Sequence, residues 1–390
     1  MQYRPFGKLD WQASALGFGA MRLPTVDNDP AHIDEEPARE MMQTAIDQGV
    51  NYVDTAFPYH REAGEAFVGK ALQDGYRQKV KLATKLPIWK VEQQSDFFRF
   101  LDIQLQRLDT EHIDFYLIHA LDAERWEKTK RLRIMEAAER AQAEGLIGHI
   151  GFSFHDEYSV LEQILDEYGG WEFCQIQYNF MDTEYQAGRR GLREASARGL
   201  AVIVMEPLKG GQIAAEPPQT VKPVLKQLGA ERRTNGHVDL ALKWVWDQPE
   251  VSLVLSGMSS MEQLQQNLAS ANESAPLAFS TETHILFEQM REMYDSLRKV
   301  NCTGCGYCTP CPSGVNIPRI LRLYNDLYMY DDQEQPRRVY NYILDAEERA
   351  DQCTECGVCE EGCPQHISII ESLKAAHALL SESKPAEGSR

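Results

Sequence analysis

Up to about residue 275 the chain alternates short apolar runs with longer amphipathic stretches. The apolar runs fall at residues 14–18, 51–55, 80–85, 113–119, 149–153, 173–178, 201–205 and 251–256. Each has the length and residue types of a buried strand. Between them, residues 36–48, 64–74, 93–107, 126–144 and 238–248 carry apolar positions at helical spacing. Gly49, Gly75, Gly145 and Gly199 stand where helices end, because a glycine accepts the left-handed conformation of a C-terminal cap.

Strands alternating with helices predict a parallel sheet with right-handed crossovers. Eight such units in about 250 residues predict a closed (β/α)8 TIM barrel, an α/β fold. An open doubly wound sheet is the competing architecture, and it usually carries a Gly-x-Gly-x-x-Gly turn after its first strand. Here that turn reads Gly17-Phe18-Gly19-Ala20-Met21-Arg22 and lacks the third glycine. The expected organisation is a barrel over residues 1–280, a linker helix over 281–300, a smaller, mainly α-helical domain over 301–378, and a disordered tail over 379–390.

Composition narrows the function classes. The formal net charge is −19, which argues against binding a nucleic-acid backbone or an anionic membrane surface. No apolar run approaches the roughly 18 residues that span a bilayer. The first residues lack the apolar stretch of a signal peptide, so the expected location is the cytoplasm. Of nine cysteines, eight lie beyond residue 300 in two tight groups. In a large chain of this kind, such grouping indicates metal binding rather than disulfides.

The first group is Cys302-x2-Cys305-x2-Cys308-x2-Cys311-Pro312, and the second is Cys353-x2-Cys356-x2-Cys359-x3-Cys363-Pro364. The second matches the run that holds [4Fe–4S] clusters in bacterial ferredoxins, where three cysteines wrap one cluster and the fourth ligates the other. Two [4Fe–4S] clusters with exchanged fourth ligands are therefore expected. Cys302, Cys305, Cys308 and Cys363 would hold one, and Cys353, Cys356, Cys359 and Cys311 the other. The first run is one residue shorter before its last cysteine. Gly304, Gly306 and Gly357 let the backbone bend toward the sulfurs. A pair of zinc sites is the alternative, but zinc ribbons use separated Cys-x2-Cys pairs. Helix-like stretches at 318–330 and 337–351 separate the runs, as in the α-helical ferredoxin type. Cys174 stands alone and reads as a small buried hydrophobe.

Barrel chemistry sits at the C-terminal ends of the strands. Asp54 and Tyr59 follow the second run, Lys85 ends the third and His119 ends the fourth. A lysine cation favours phenolate, an aspartate orients the lysine, and a histidine can hydrogen-bond a substrate oxygen. Together they suit giving a proton to a carbonyl oxygen while hydride reaches the carbon. Singly, each could be structural: Asp54 a helix cap, Lys85 a surface charge, His119 a packed barrel histidine.

Residues 1 to about 275 resemble the aldo-keto reductase family. The stretch Gly49-Val50-Asn51-Tyr52-Val53-Asp54-Thr55-Ala56 with Tyr59 is similar to its signature, and Lys85 and His119 fall where its other catalytic residues fall. The whole chain resembles the subgroup ending in a ferredoxin-type [4Fe–4S] domain. The resemblance implies that Ser153 and Gln175 hold the nicotinamide carboxamide. Phe154 and His155 follow Ser153, where an asparagine is usual next to it, and Met205 takes the place of a stacking tyrosine. It implies that Leu208, Lys209, Gly210 and Gly211 lie near the pyrophosphate. It also implies that Ser256, Gly257, Ser259, Ser260, Gln263, Gln266 and Asn267 belong to the adenosine site. Gly257 and Gln263 stand where NADP-dependent members have Lys and Arg, which favours NAD(H) over NADP(H). The implied partners are a small carbonyl or alcohol substrate and a redox partner protein.

A nicotinamide moves two electrons as hydride and a cluster moves one, and no flavin motif links them. Three functions fit: a carbonyl reductase or alcohol dehydrogenase with electron-transfer clusters, a redox-neutral enzyme on the same tetrad with structural clusters, or an electron-transfer subunit that keeps the barrel as scaffold. His60, Trp89 and Phe154 are candidates for the substrate pocket wall.

Overall fold

A computed structural model describes residues 1–381 apart from Thr234, Thr303, Cys305, Tyr307, Asp331, Asp332 and Pro364. The strands are β1 (Tyr3–Phe6), β2 (Leu9–Ser14), β3 (Leu16–Gly19), β4 (Tyr52–Asp54), β5 (Lys81–Leu86), β6 (Ile113–Leu121), β7 (Ile147–Phe154), β8 (Phe173–Gln177), β9 (Ala201–Met205) and β10 (Val251–Ser256). Strands β3 to β10 close into one parallel eight-stranded barrel, with β10 pairing back onto β3 through Ser256 and Phe18. Their residues are almost wholly buried on both faces, which is why they read as continuous apolar runs rather than alternating ones.

The helices are α1 (Glu35–Asp47), α2 (Gly64–Ala71), α3 (Asp96–Arg107), α4 (Ala123–Arg131), α5 (Ile134–Ala143), α6 (Tyr158–Glu167), α7 (Gly188–Ala197), α8 (Lys222–Gln227), α9 (Gly236–Trp246), α10 (Met261–Asn272), α11 (Thr281–Asp295), α12 (Ile317–Met329), α13 (Glu334–Arg338), α14 (Val358–Glu361) and α15 (Ile369–Leu380). Three expected helices differ. The stretch 126–144 is two helices, because Arg133 adopts a left-handed conformation with φ 54°. The helix from Thr281 stops at Asp295 rather than at 300. The stretch 337–351 breaks into the end of α13, a π-helical turn over Val339–Ile343 and two 3₁₀ turns. Helix α15 runs to Leu380, two residues into the expected tail, and residues 382–390 lie outside the described residues.

The antiparallel hairpin β1–β2 plugs the N-terminal end of the barrel. Its Phe6 packs on Phe115, Phe173 and Tyr52 at centroid distances of 4.9, 6.0 and 6.1 Å. Such aromatic pairs contribute about 0.5–1.5 kcal/mol each beyond area burial. The hairpin turn needs Gly7: with φ 57°, a Cβ there would sit 2.4 Å from the Ala201 nitrogen.

The chain divides into two compact units. One comprises Met1–Pro207 and Arg232–Ser280, and the other Leu208–Glu231 with the described residues from Thr281 onward. Residues 208–231, between β9 and α9, thus group with the cysteine region. In the second unit α12 packs against α15 around Ile317, Ile320, Leu321, Tyr340, Leu373 and Ala376.

Candidate active site and cysteine cluster

Adjacent strands deliver the tetrad to one barrel mouth. Asp54 ends β4 and Lys85 is the fifth residue of β5, the strand hydrogen-bonded beside it. The Lys85 ammonium lies 2.6 Å from Asp54 Oδ1, 2.8 Å from the Thr55 carbonyl oxygen and 3.4 Å from the Tyr59 hydroxyl. Lys85 is 1% exposed and Asp54 2%. Burial alone would lower the Lys85 pKa, but Asp54 and Tyr59 outweigh it and hold the ammonium above its ordinary value. Burial raises the Asp54 carboxyl against the pull of Lys85.

Tyr59 differs from the expectation that lysine would lower its pKa. Burial pushes the phenol above its ordinary value, Lys85 opposes this, and the carboxylates of Asp54 and Glu206 add to the rise. The net effect keeps the phenol protonated at neutral pH. His119 lies on β6 with its ring 6.2 Å from that of Tyr59 and 5.1 Å from that of Trp89. Burial, then the charges of Lys85, His155 and Arg125, push its imidazole well below the usual range. It is therefore neutral near pH 7, a hydrogen-bonding group rather than a charge.

Further round the barrel, Ser153 on β7 pairs in register with Gln175 on β8. Ser153 Oγ accepts from the Ala120 amide at 2.7 Å and keeps its own hydroxyl proton to donate. Gln175 Nε2 lies 3.7 Å from Met205 Sδ, and Gln175 Oε1 is buried without a partner among the described residues. The pair thus presents a donor and an acceptor that fit a carboxamide. At the end of β10, Ser256 accepts from Asn267 Nδ2 at 2.9 Å. Ser260 caps α10 by accepting from the Gln263 amide, and Gln263 Oε1 accepts from the Ser259 amide at 2.9 Å. Gln263 is thereby tied to local capping, and Gln266 donates to Glu262. Gly257 leaves its space to the Arg22 side chain, whose Cδ a Cβ there would meet at 3.1 Å.

Leu208, Lys209, Gly210 and Gly211 fall in the second unit. Lys209 is 6% exposed and its ammonium faces Asp326 of α12 at 3.7 Å. Gly210 and Gly211 have φ of 69° and 104°. Sequence reasoning missed the Thr55 carbonyl, the Glu206 carboxylate and Asp326. The first is a backbone atom with no sequence signature, and the other two act through tertiary placement.

In the same unit, Cys311, Cys353, Cys356 and Cys359 line one cavity, joined by Ile317, Ile370 and Leu373. Cys302 and Cys308 pack on the core that includes Cys363, and Cys305 lies outside the described residues. Among the described residues no group of three or more His, Cys, Asp or Glu is placed to hold a metal ion. Four cysteine thiols around one cavity are the donor set that a [4Fe–4S] cluster takes as ligands. Gly304, Gly306 and Gly357 all adopt left-handed φ, of 72°, 77° and 81°. Each cysteine run is approached through a pinned segment. Buried Asn325 bonds the amides of Lys299 and Val300 and the Val300 carbonyl. Tyr340, itself held to His377 at 2.7 Å, accepts from the Ala350 amide at 3.0 Å.

Residues 15–279 match the family described as aldo/keto reductase. Residues 301–368 match a 4Fe-4S dicluster domain. The uncharacterized oxidoreductase YqkF of Bacillus subtilis is 27% identical over 301 residues, spanning 70% of this chain and 92% of its own. The NADH-specific methylglyoxal reductase of Escherichia coli is 24% identical, spanning 77% of this chain and all of its own. The holo structure of aldo-keto reductase AKR11C1 from Bacillus halodurans superposes with a TM-score of 0.60 at 27% identity, covering 74% of this chain and 96% of that one.

Proposed function

This chain belongs to the aldo/keto reductase family, and from that premise we propose that it interconverts a carbonyl and an alcohol by nicotinamide-dependent hydride transfer, with Tyr59 as the acid/base. It is an oxidoreductase that carries a C-terminal 4Fe-4S region. The observation that carries the proposal is the buried Lys85 ammonium, fixed by Asp54 and the Thr55 carbonyl and reaching the Tyr59 hydroxyl at 3.4 Å.

In reduction, Tyr59 donates its proton to the substrate oxygen and Lys85 stabilises the phenolate left behind. Asp54 keeps Lys85 charged and aimed. Neutral His119 donates a hydrogen bond to the same oxygen and orients it. In oxidation the roles reverse. The nicotinamide, when bound, supplies or accepts the hydride. Ser153 and Gln175 hold its carboxamide, and Met205 covers a ring face as a polarizable thioether. Ser256, Gly257, Ser259, Gln263, Gln266 and Asn267 serve the adenosine end, and Leu208, Lys209, Gly210 and Gly211 the pyrophosphate.

NAD(H) is the favoured nucleotide, because position 257 has no side chain and Gln263 carries no charge to meet a 2′-phosphate. The E. coli relative, NADH-specific by name, accords with this. We assign one [4Fe–4S] cluster to Cys353, Cys356, Cys359 and Cys311, and a second to Cys302, Cys305, Cys308 and Cys363. Both exchange electrons with a redox partner protein. The test is NADH and NADPH oxidation over a panel of aldehydes and ketones, with Tyr59→Phe alongside. Loss of turnover in the variant, with iron content unchanged, supports the reading, and full turnover refutes it.

A further inference from the structure

The residues just after Tyr59 are strained. His60, Arg61 and Glu62 have φ of 53°, 49° and 73°, three consecutive left-handed residues with side chains. Glycine or asparagine usually takes such positions, because a Cβ crowds the following carbonyl there. A strained turn persists only where its surroundings over-determine it, and such turns cluster at functional sites.

Each of the three side chains is tied to a different neighbour. His60, 7% exposed, has its Nδ1 2.9 Å from the Pro30 carbonyl oxygen, to which it donates. Arg61 pairs with Asp29 at 3.7 Å. Glu62 accepts from Lys90 at 2.6 Å and from Arg107 at 3.0 Å. Arg107 reaches on to Glu65, which is fully buried, and its guanidinium lies 4.4 Å from the centre of the Phe57 ring. The loops after β3 and β5 and helix α3 are thus lashed to the turn that carries Tyr59. From the other side, Gly64 lets Tyr59 sit close: a Cβ there would stand 3.1 Å from the Tyr59 carbonyl oxygen and 3.2 Å from its Cβ.

We infer that this left-handed turn is the mount that holds the Tyr59 hydroxyl against Lys85, and that Glu62 and His60 are positioning residues for proton transfer. The inference rests on the reading of Tyr59 as acid/base. Neither residue needs to touch substrate. Their side chains do what glycine could not: they replace conformational freedom with anchors.

The experiment uses the full-length, cluster-loaded protein. Glu62→Ala should lower kcat by about 10- to 100-fold, the range expected when a reacting group is displaced by up to an ångström. Nucleotide Kd, read by fluorescence titration, should stay within about twofold, since the nucleotide groups are elsewhere. Glu62→Gln should recover part of the loss, because Lys90 and Arg107 donate to separate oxygens of Glu62 and the single amide oxygen keeps one of those bonds. His60→Gly suits the backbone and removes the tie to Pro30, so it should lower kcat in the same direction. A crystal structure of Glu62→Ala should show the Tyr59 hydroxyl beyond hydrogen-bond reach of Lys85. Unchanged kcat in Glu62→Ala, or a hydroxyl still 3.4 Å from Lys85 with residues 60–62 left-handed, overturns the inference. Tyr59→Phe in the same assay separates the two ideas. If it stays active, the acid/base reading fails, while the crystal structure still decides the mount.

Discussion

Replacing Lys85 by methionine keeps the side-chain length and removes the cation. Its ammonium lies 3.4 Å from the Tyr59 hydroxyl. At an effective dielectric of about 20, a unit charge at that distance stabilises a phenolate by about 5 kcal/mol. That is roughly three to four pKa units on Tyr59. With half to all of the phenolate charge developed in the transition state, kcat should fall between about 10²- and 10⁴-fold. Stability should fall too, by about 3–5 kcal/mol, because Asp54 is left buried without its partner. Adding Asp54→Asn to Lys85→Met should restore stability and not activity. The wild-type pair carries a pH signature of its own. Lys85 is raised on folding, so its stabilising share is complete below the ordinary lysine pKa and is lost as pH rises through the raised value. The assays are pre-steady-state reduction monitored by nicotinamide absorbance, and urea unfolding from pH 7 to 11. A Lys85→Met enzyme within tenfold of wild-type kcat would falsify the electrostatic account of Tyr59.

On the exchanged pairing, Cys311→Ser and Cys363→Ser would each remove one fourth ligand, and each should cost a different cluster. Iron analysis with EPR of the reduced proteins should show the same half-loaded species in Cys311→Ser as in Cys356→Ser, and a Cys311→Ser species matching that of Cys308→Ser would contradict the exchanged pairing. Cys174 is fully buried and burial pushes its thiol up to about 12. Native protein and Cys174→Ala should therefore take up the same amount of iodoacetamide at pH 8, and a difference of one label per chain would contradict this.

Sequence pattern revealed the barrel because each strand is buried on both faces and reads as one apolar run. The hairpin that plugs its base precedes the first of those runs and went unread, although Leu9, Trp11 and Ala13 alternate with Asp10, Gln12 and Ser14 in strand fashion. The break at Arg133 was illegible for another reason. No glycine or proline marks it, and its carbonyl is held by Gln94 from the loop before α3. At the mouth, residue types pointed to Asp54, Tyr59, Lys85 and His119, which the structure brings together. The direction of the Tyr59 shift was not readable, since burial outweighs the lysine and burial is a property of the fold. The left-handed residues 60–62 gave no signal at all, because their conformation is imposed by Pro30, Asp29, Lys90 and Arg107. In the cysteine region the spacing grouped Cys311 with Cys353, Cys356 and Cys359, which line one cavity, whereas the pairing of Lys209 with Asp326 emerged only from three dimensions.

Isotope transfer decides between hydride chemistry at Tyr59 and one-electron chemistry through the clusters. The cluster-loaded protein is incubated with [4-²H]NADH, carrying label on both faces of the ring, and a carbonyl substrate, and the alcohol is analysed by mass spectrometry. One deuterium on the carbinol carbon, lost together with turnover in Tyr59→Phe, is the result predicted here. Alcohol whose carbinol hydrogen comes from solvent would contradict it.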